Sequence, residues 1–144
     1  MAVEGLIGAV LLGHAVYTDL RERRIHNRAV LAAAVAGVTV GFLRSGWSGL
    51  LLHCAGMAAG LPWWAPVALL GLGPGDAKLA MALGAVWGPR VAVWGPAAGF
   101  VLCALALVPW WAWSAWRGRP WRGRAIPMAP WMAAGTALAL VCLR

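Results

Sequence analysis

Charges punctuate this chain at intervals, leaving uncharged runs over 5–18, 29–43, 45–75, 79–89, 91–116 and 125–143. A helix that crosses a bilayer needs about 20 predominantly apolar residues, with a range of roughly 17–25. The run 45–75, at 31 residues, is too long for one straight crossing, so part of it must be loop or re-entrant turn. The pattern predicts six hydrophobic helices, near 3–18, 29–43, 49–70, 77–88, 91–113 and 127–143. The fold expected is all-α: a polytopic membrane protein in a single domain, 1–144, with no room for a sizeable soluble part. The fourth helix stands apart. Twelve residues reach only about 18 Å, against a hydrocarbon core of roughly 30 Å, so a short or partial span is expected there. It is entered through the turn Gly71-Leu72-Gly73-Pro74-Gly75-Asp76. Non-helical backbone at membrane depth persists only where protein or a water-filled cavity satisfies it, which predicts a cavity beside Asp76.

Composition agrees: 62% of residues are hydrophobic, 11% are charged and the mean hydropathy is +0.77. The net charge of +8 does not point to nucleic acid, because the basic residues form no single stripe. Arg21, Arg23, Arg24 and Arg28 fall in the first loop, and Arg117, Arg119, Arg122 and Arg124 in the last. With the N-terminus outside, loops 19–28, 71–78 and 114–126 face the cytoplasm and hold nine of the twelve basic residues, as the positive-inside rule requires. The first apolar run is read as a retained span, since a signal peptide carries its basic residues before the apolar region and here they follow it. Trp110, Trp111, Trp113, Trp116 and Trp121 beside the last loop, with Trp47, Trp87 and Trp94 near the outer ends, suit interfacial belts. Trp63 and Trp64 lie between Pro62 and Pro66, where the third span should kink. The pairs Gly37/Gly41 and Gly56/Gly60 suit close helix packing. Cys54, Cys103 and Cys142 have no CxxC spacing and read as packing residues; with His14 and His53 they form no metal-ligand pattern, so neither metal nor cofactor is expected.

Only four acidic residues occur, and two stand at span boundaries, Asp19 and Asp76. An ionisable group at a membrane-embedded position is costly and marks a functional site by default. The topology puts both carboxylates at similar depth on the cytoplasmic side. Two such groups cannot both ionise cheaply, and a pair sharing one proton can activate a water between them. Each has a plainer reading. Asp19 could be a loop carboxylate balancing Arg21, Arg23 and Arg24, and Asp76 could cap a helix starting at Ala77. Gly73 and Gly75 give the turn the freedom to present Asp76 closely. Lys78, the only lysine, is read as supporting the site by meeting headgroups, positioning substrate or tuning the acids.

The stretch Gly71-Leu72-Gly73-Pro74-Gly75-Asp76-Ala77-Lys78-Leu79 contains a GxGD element and resembles its extended form in the A24 family of prepilin peptidases. Asp19 with Arg24-Ile25-His26-Asn27 is similar to that family's first motif, an aspartate followed by a basic stretch and Ile-Pro-Asn. Ile126-Pro127-Met128-Ala129-Pro130 through Gly135 resembles the start of its last span. The resemblance covers nearly the whole chain, in order. It implies a membrane aspartyl endopeptidase of the inner membrane that removes the basic leader of type IV pilin-like precursors at the cytoplasmic face. Asp19 and Asp76 would be its catalytic pair, supported by Gly73, Gly75, Lys78 and Asn27, without a metal. Two departures matter. The first loop has about ten residues and no CxxC pairs, so the chain resembles the minimal, peptidase-only branch found with Tad/Flp-type pili, and N-methylation is not expected. His26 also replaces the family's usual proline before Asn27.

Two other readings remain. A small multi-pass transporter or assembly subunit could use the two acids for proton or cation handling, and it would place them near the midplane or toward both faces. A preflagellin could replace the pilin as substrate. Oligomeric state is not legible.

Overall fold

The computed structural model describes residues 2–70, 73–118 and 126–143, and among these every regular element is a helix. Gly71, Leu72, Arg119, Arg122, Arg124 and Trp121, which figure in the expectations above, lie outside the described residues. The elements are α1 (Ala2–Glu22), α2 (Asn27–Ala59), a 3-10 turn (Leu61–Trp63), α3 (Trp64–Leu70), α4 (Pro74–Trp87), α5 (Pro89–Trp116) and α6 (Ala129–Cys142). Three stretches, Ala2–Glu22, Asn27–Leu69 and Pro89–Trp116, are long and apolar enough to cross a membrane, and α6 is a shorter apolar helix.

Helix α1 runs a turn beyond its expected end at residue 18. Leu20, Arg21 and Glu22 are good helix formers, and Arg21 suits the negative end of the helix dipole. Asp19 therefore belongs to the last turn of a helix and not to the following loop. The helix stops at Arg23, whose φ of 52° is the left-handed conformation that terminates helices. The Arg23 N–H still bonds to the Asp19 carbonyl, at 3.0 Å.

The expected second and third spans are arms of one element, α2, reversed at Gly46 (φ 59°, ψ −138°). Along a straight helix, Gly41 and Gly49 would stand about 12 Å apart. Instead, a Cβ added at Gly49 would collide with the Gly41 carbonyl, and one at Gly41 with the His53 ring. The second arm ends at Gly60, just before Pro62. Trp63 then stacks on Phe100 (centroids 5.3 Å apart) and donates its indole N–H to the Ala92 carbonyl at 2.9 Å.

The short fourth helix is the centre of the molecule. Ala77, Leu79, Ala80, Leu83, Ala85 and Val86 of α4 have no exposed surface. Leu11 and Ala15 of α1 and Met132 of α6 join Leu79 and Leu83 in one cluster. Apolar surface gains little by leaving lipid for protein, so close packing has to hold such helices together. The α2 hairpin achieves this with glycine: a Cβ at Gly37 would strike the Ala85 backbone, and one at Gly56 the Gly84 carbonyl. Gly60 meets Met81, and Gly135 of α6 lies against Gly95 and Gly99 of α5. Trp87, expected in a belt, instead lodges against Gly8 of α1. Trp47, Trp94 and Trp116 are exposed, as a belt requires. Of the cysteines only Cys103 is buried; Cys54 and Cys142 are exposed, so they do not pack the interior.

Candidate active site

Asp19 and Asp76 arrive at one end of the bundle from different elements and line the same cavity, of about 620 Å³. Asp19 is nearly buried, at 9% exposure, beside Thr18 at 3%. Its Oδ2 accepts the backbone N–H of Ala129 at 2.9 Å. Ala129 opens α6, whose first N–H groups have no partner within the helix. A carboxylate there also meets the positive end of the helix dipole. Asp19 is thus an acceptor that fixes the start of another helix, a role different from the loop carboxylate considered above.

Asp76 lies in the first turn of α4, which begins at Pro74 and not at Ala77. Proline supplies the helical φ at the first position and has no N–H to leave unpaired, so the helix starts three residues early. Gly73 is the cap residue, and its carbonyl accepts the Asp76 N–H at 3.1 Å. The Asp76 side chain is consequently not the cap and turns toward the cavity. Asp76 stands outside the three apolar stretches able to cross a membrane. Burial, and secondly the nearby Asp19 charge, push its carboxyl up to about 6.

The residues expected to support the pair are gathered here as well. Gly73, Gly75, Lys78 and Asn27 line the same cavity. Lys78 Nζ donates to Asn27 Oδ1 at 3.0 Å, tying the start of α2 to α4. Gly75 packs on Ile25, whose Cβ would be 3.2 Å from an added Cβ, so a side chain at position 75 would push the 23–26 segment away. Among the described residues, a Cβ added at Gly73 would meet only Asp76 Oδ2, at 3.8 Å. His26 has φ −73° and ψ 120°, values that proline also adopts. Its ring lies 3.4 Å from Glu22 and 5.6 Å (centroids) from His14.

Sequence reasoning missed the Ala129 N–H as the partner of Asp19. The available signal was the pair Pro127 and Pro130, which marks a helix start whose free N–H groups need an acceptor. Arg23, Arg24 and Lys78 make much of the cavity wall basic, while Ile25, Ile126, Pro127 and Met128 add an apolar side. Among the described residues no group of three or more His, Cys, Asp or Glu side chains could hold a metal ion. The arrangement thus brings two carboxyl groups to one cavity, Asp76 being the one pushed toward its protonated form.

One family model, that of the type IV leader peptidase family, matches residues 6–112. The matched region contains both aspartates and ends before α6. Neither a curated protein nor a solved structure matches the chain.

Proposed function

The chain belongs to the type IV leader peptidase family, and on that premise we propose that Asp19 and Asp76 are the catalytic pair of an aspartyl endopeptidase. The substrate is the leader-bearing precursor of a type IV pilin-like protein, cut at the cytoplasmic face of the inner membrane. The observation that carries the proposal is the single cavity lined by both carboxylates, at one end of the helix bundle.

In the reaction, Asp19 takes a proton from a water held between the two side chains. The hydroxide formed attacks the scissile carbonyl carbon, and Asp76 gives its proton to the carbonyl oxygen. Collapse of the tetrahedral intermediate then breaks the C–N bond: Asp19 passes its proton to the leaving amine and Asp76 takes one back from a hydroxyl of the intermediate, which restores the pair. Lys78 and Asn27 position the α2 entrance beside the pair. A proton relay of the transporter type would spread its acids along the membrane depth, whereas these two share one end.

The membrane arrangement proposed has the N-terminus outside and six passes. Reversal at Gly46 turns the stretch Asn27–Leu69 into two of them, and the part of α4 that follows Asp76, with the shorter α6, completes the set. N-methylation of the product is not part of this function.

Co-expression with a pilin-like precursor tests the assignment, with Asp19→Asn and Asp76→Asn made separately. Each variant should lose leader removal by at least about 10³-fold, the scale on which an essential acid or base acts, while still inserting in the membrane. Mass spectrometry of the wild-type product should show an unmethylated new N-terminus. Full cleavage by either variant would sink the two-aspartate mechanism.

A further inference from the structure

A second cavity, of about 680 Å³, opens at the opposite end of the bundle, where α1 begins, α4 ends, α5 begins and α6 ends. Its walls are mostly apolar, with Leu12, Leu52 and Leu140 contributed by three different helices. Two charged residues also line it, Glu4 and Arg90. Glu4 is engaged by Arg44 at 2.6 Å. Arg90, the second residue of α5, is exposed and has no ion pair among the described residues. Among the described residues, the cavity therefore offers an apolar slot with Arg90 as an available cation at its rim.

From this combination we infer that the cavity is a binding site for one anionic phospholipid, with an acyl chain in the slot and the phosphate on Arg90. A methylene group is near the size of a water molecule, whose share of liquid volume is about 30 Å³. The cavity then holds roughly twenty such units, enough for one acyl chain and too few for two. Guanidinium pairs with phosphate through directed, charge-assisted hydrogen bonds, and an arginine at a helix end reaches the headgroup level readily. With Glu4 taken up by Arg44, no other carboxylate among the described residues lines the cavity to oppose the phosphate. The inference depends only on the chain being a membrane protein and not on the peptidase mechanism.

Native mass spectrometry of the delipidated full chain in detergent micelles provides the test, with phosphatidylglycerol and phosphatidylcholine of identical acyl chains as probes. Wild type should retain one phosphatidylglycerol about fivefold more tightly than phosphatidylcholine, the scale of one arginine at an anionic surface. Arg90→Ala should abolish that preference. Ala9→Trp, which fills the slot from an exposed position on α1, should lose both lipids with the melting temperature unchanged. Equal affinities in the wild type, an unchanged preference in Arg90→Ala, or retained lipid in Ala9→Trp would each overturn the site. Cleavage is not the readout, so failure here is distinguishable from failure of the aspartate pair.

Discussion

Asp76 carries a folding cost that its chemistry explains. Its carboxyl titrates near 6 in the folded chain against an ordinary 3.8, because burial and the Asp19 charge disfavour ionisation. A raised carboxyl means that the folded state binds the proton more tightly than the unfolded one. Stability is then fully present below pH 3.8 and declines as pH rises through 6. Asp76→Asn should accordingly be more stable than wild type at pH 7.5, by about 1–2 kcal/mol after allowance for partial exposure. The difference should vanish in melts below pH 4. In the proposed mechanism the same titration removes the acid, so kcat/KM of the wild type should show an alkaline limb with an apparent value near 6, belonging to the pair as a unit. A flat profile between pH 5 and 8 would contradict this role for Asp76. Both aspartates were legible from sequence because acids are so rare here that each stands out. The Ala129 N–H that holds Asp19 was not, since Pro127 and Pro130 mark a helix start in need of an acceptor but nothing in them points to a partner 110 residues away.

At the scale of the element, α4 shows why a helix too short to cross alone can still be essential. Its small and apolar residues touch the α2 hairpin on glycine surfaces, so backbones meet where side chains normally intervene. Gly84→Leu should therefore prevent assembly or cost more than about 3 kcal/mol, since the neighbouring obstacle is the Gly56 backbone and cannot rotate away. Gly13→Leu is the matched control. An added Cβ there meets nothing within 4 Å, and thermal unfolding in detergent should hardly change. Charge gaps in the sequence located the apolar helical stretches, but not the break of the expected third helix after Ala59 or the run of α1 through Asp19 to Glu22. They could not show that α4 is the core, because an alanine-rich run looks the same facing lipid or facing protein. Gly46 was equally hidden. Within a glycine-rich stretch, only three-dimensional packing shows which glycine adopts the left-handed turn.

For the molecule as a whole, the proposed orientation is open to direct measurement. Reporter fusions after residues 25 and 118 should be active as cytoplasmic reporters, and those after 46 and 88 as periplasmic ones. Any fusion pair that puts 25 and 118 on opposite sides would divide the basic loops and remove the shared face on which the pair depends. The hydrogen bond from Ala129 to Asp19 has a further consequence, for the order in which the protein is made. A growing chain possesses both carboxylates once residue 76 has been added, yet the group that orients Asp19 is not synthesised until more than fifty residues later. Until α6 docks, the nascent protein has both carboxylates but not the donor that fixes Asp19. In the proposed mechanism, leader removal would then wait on the insertion of α6.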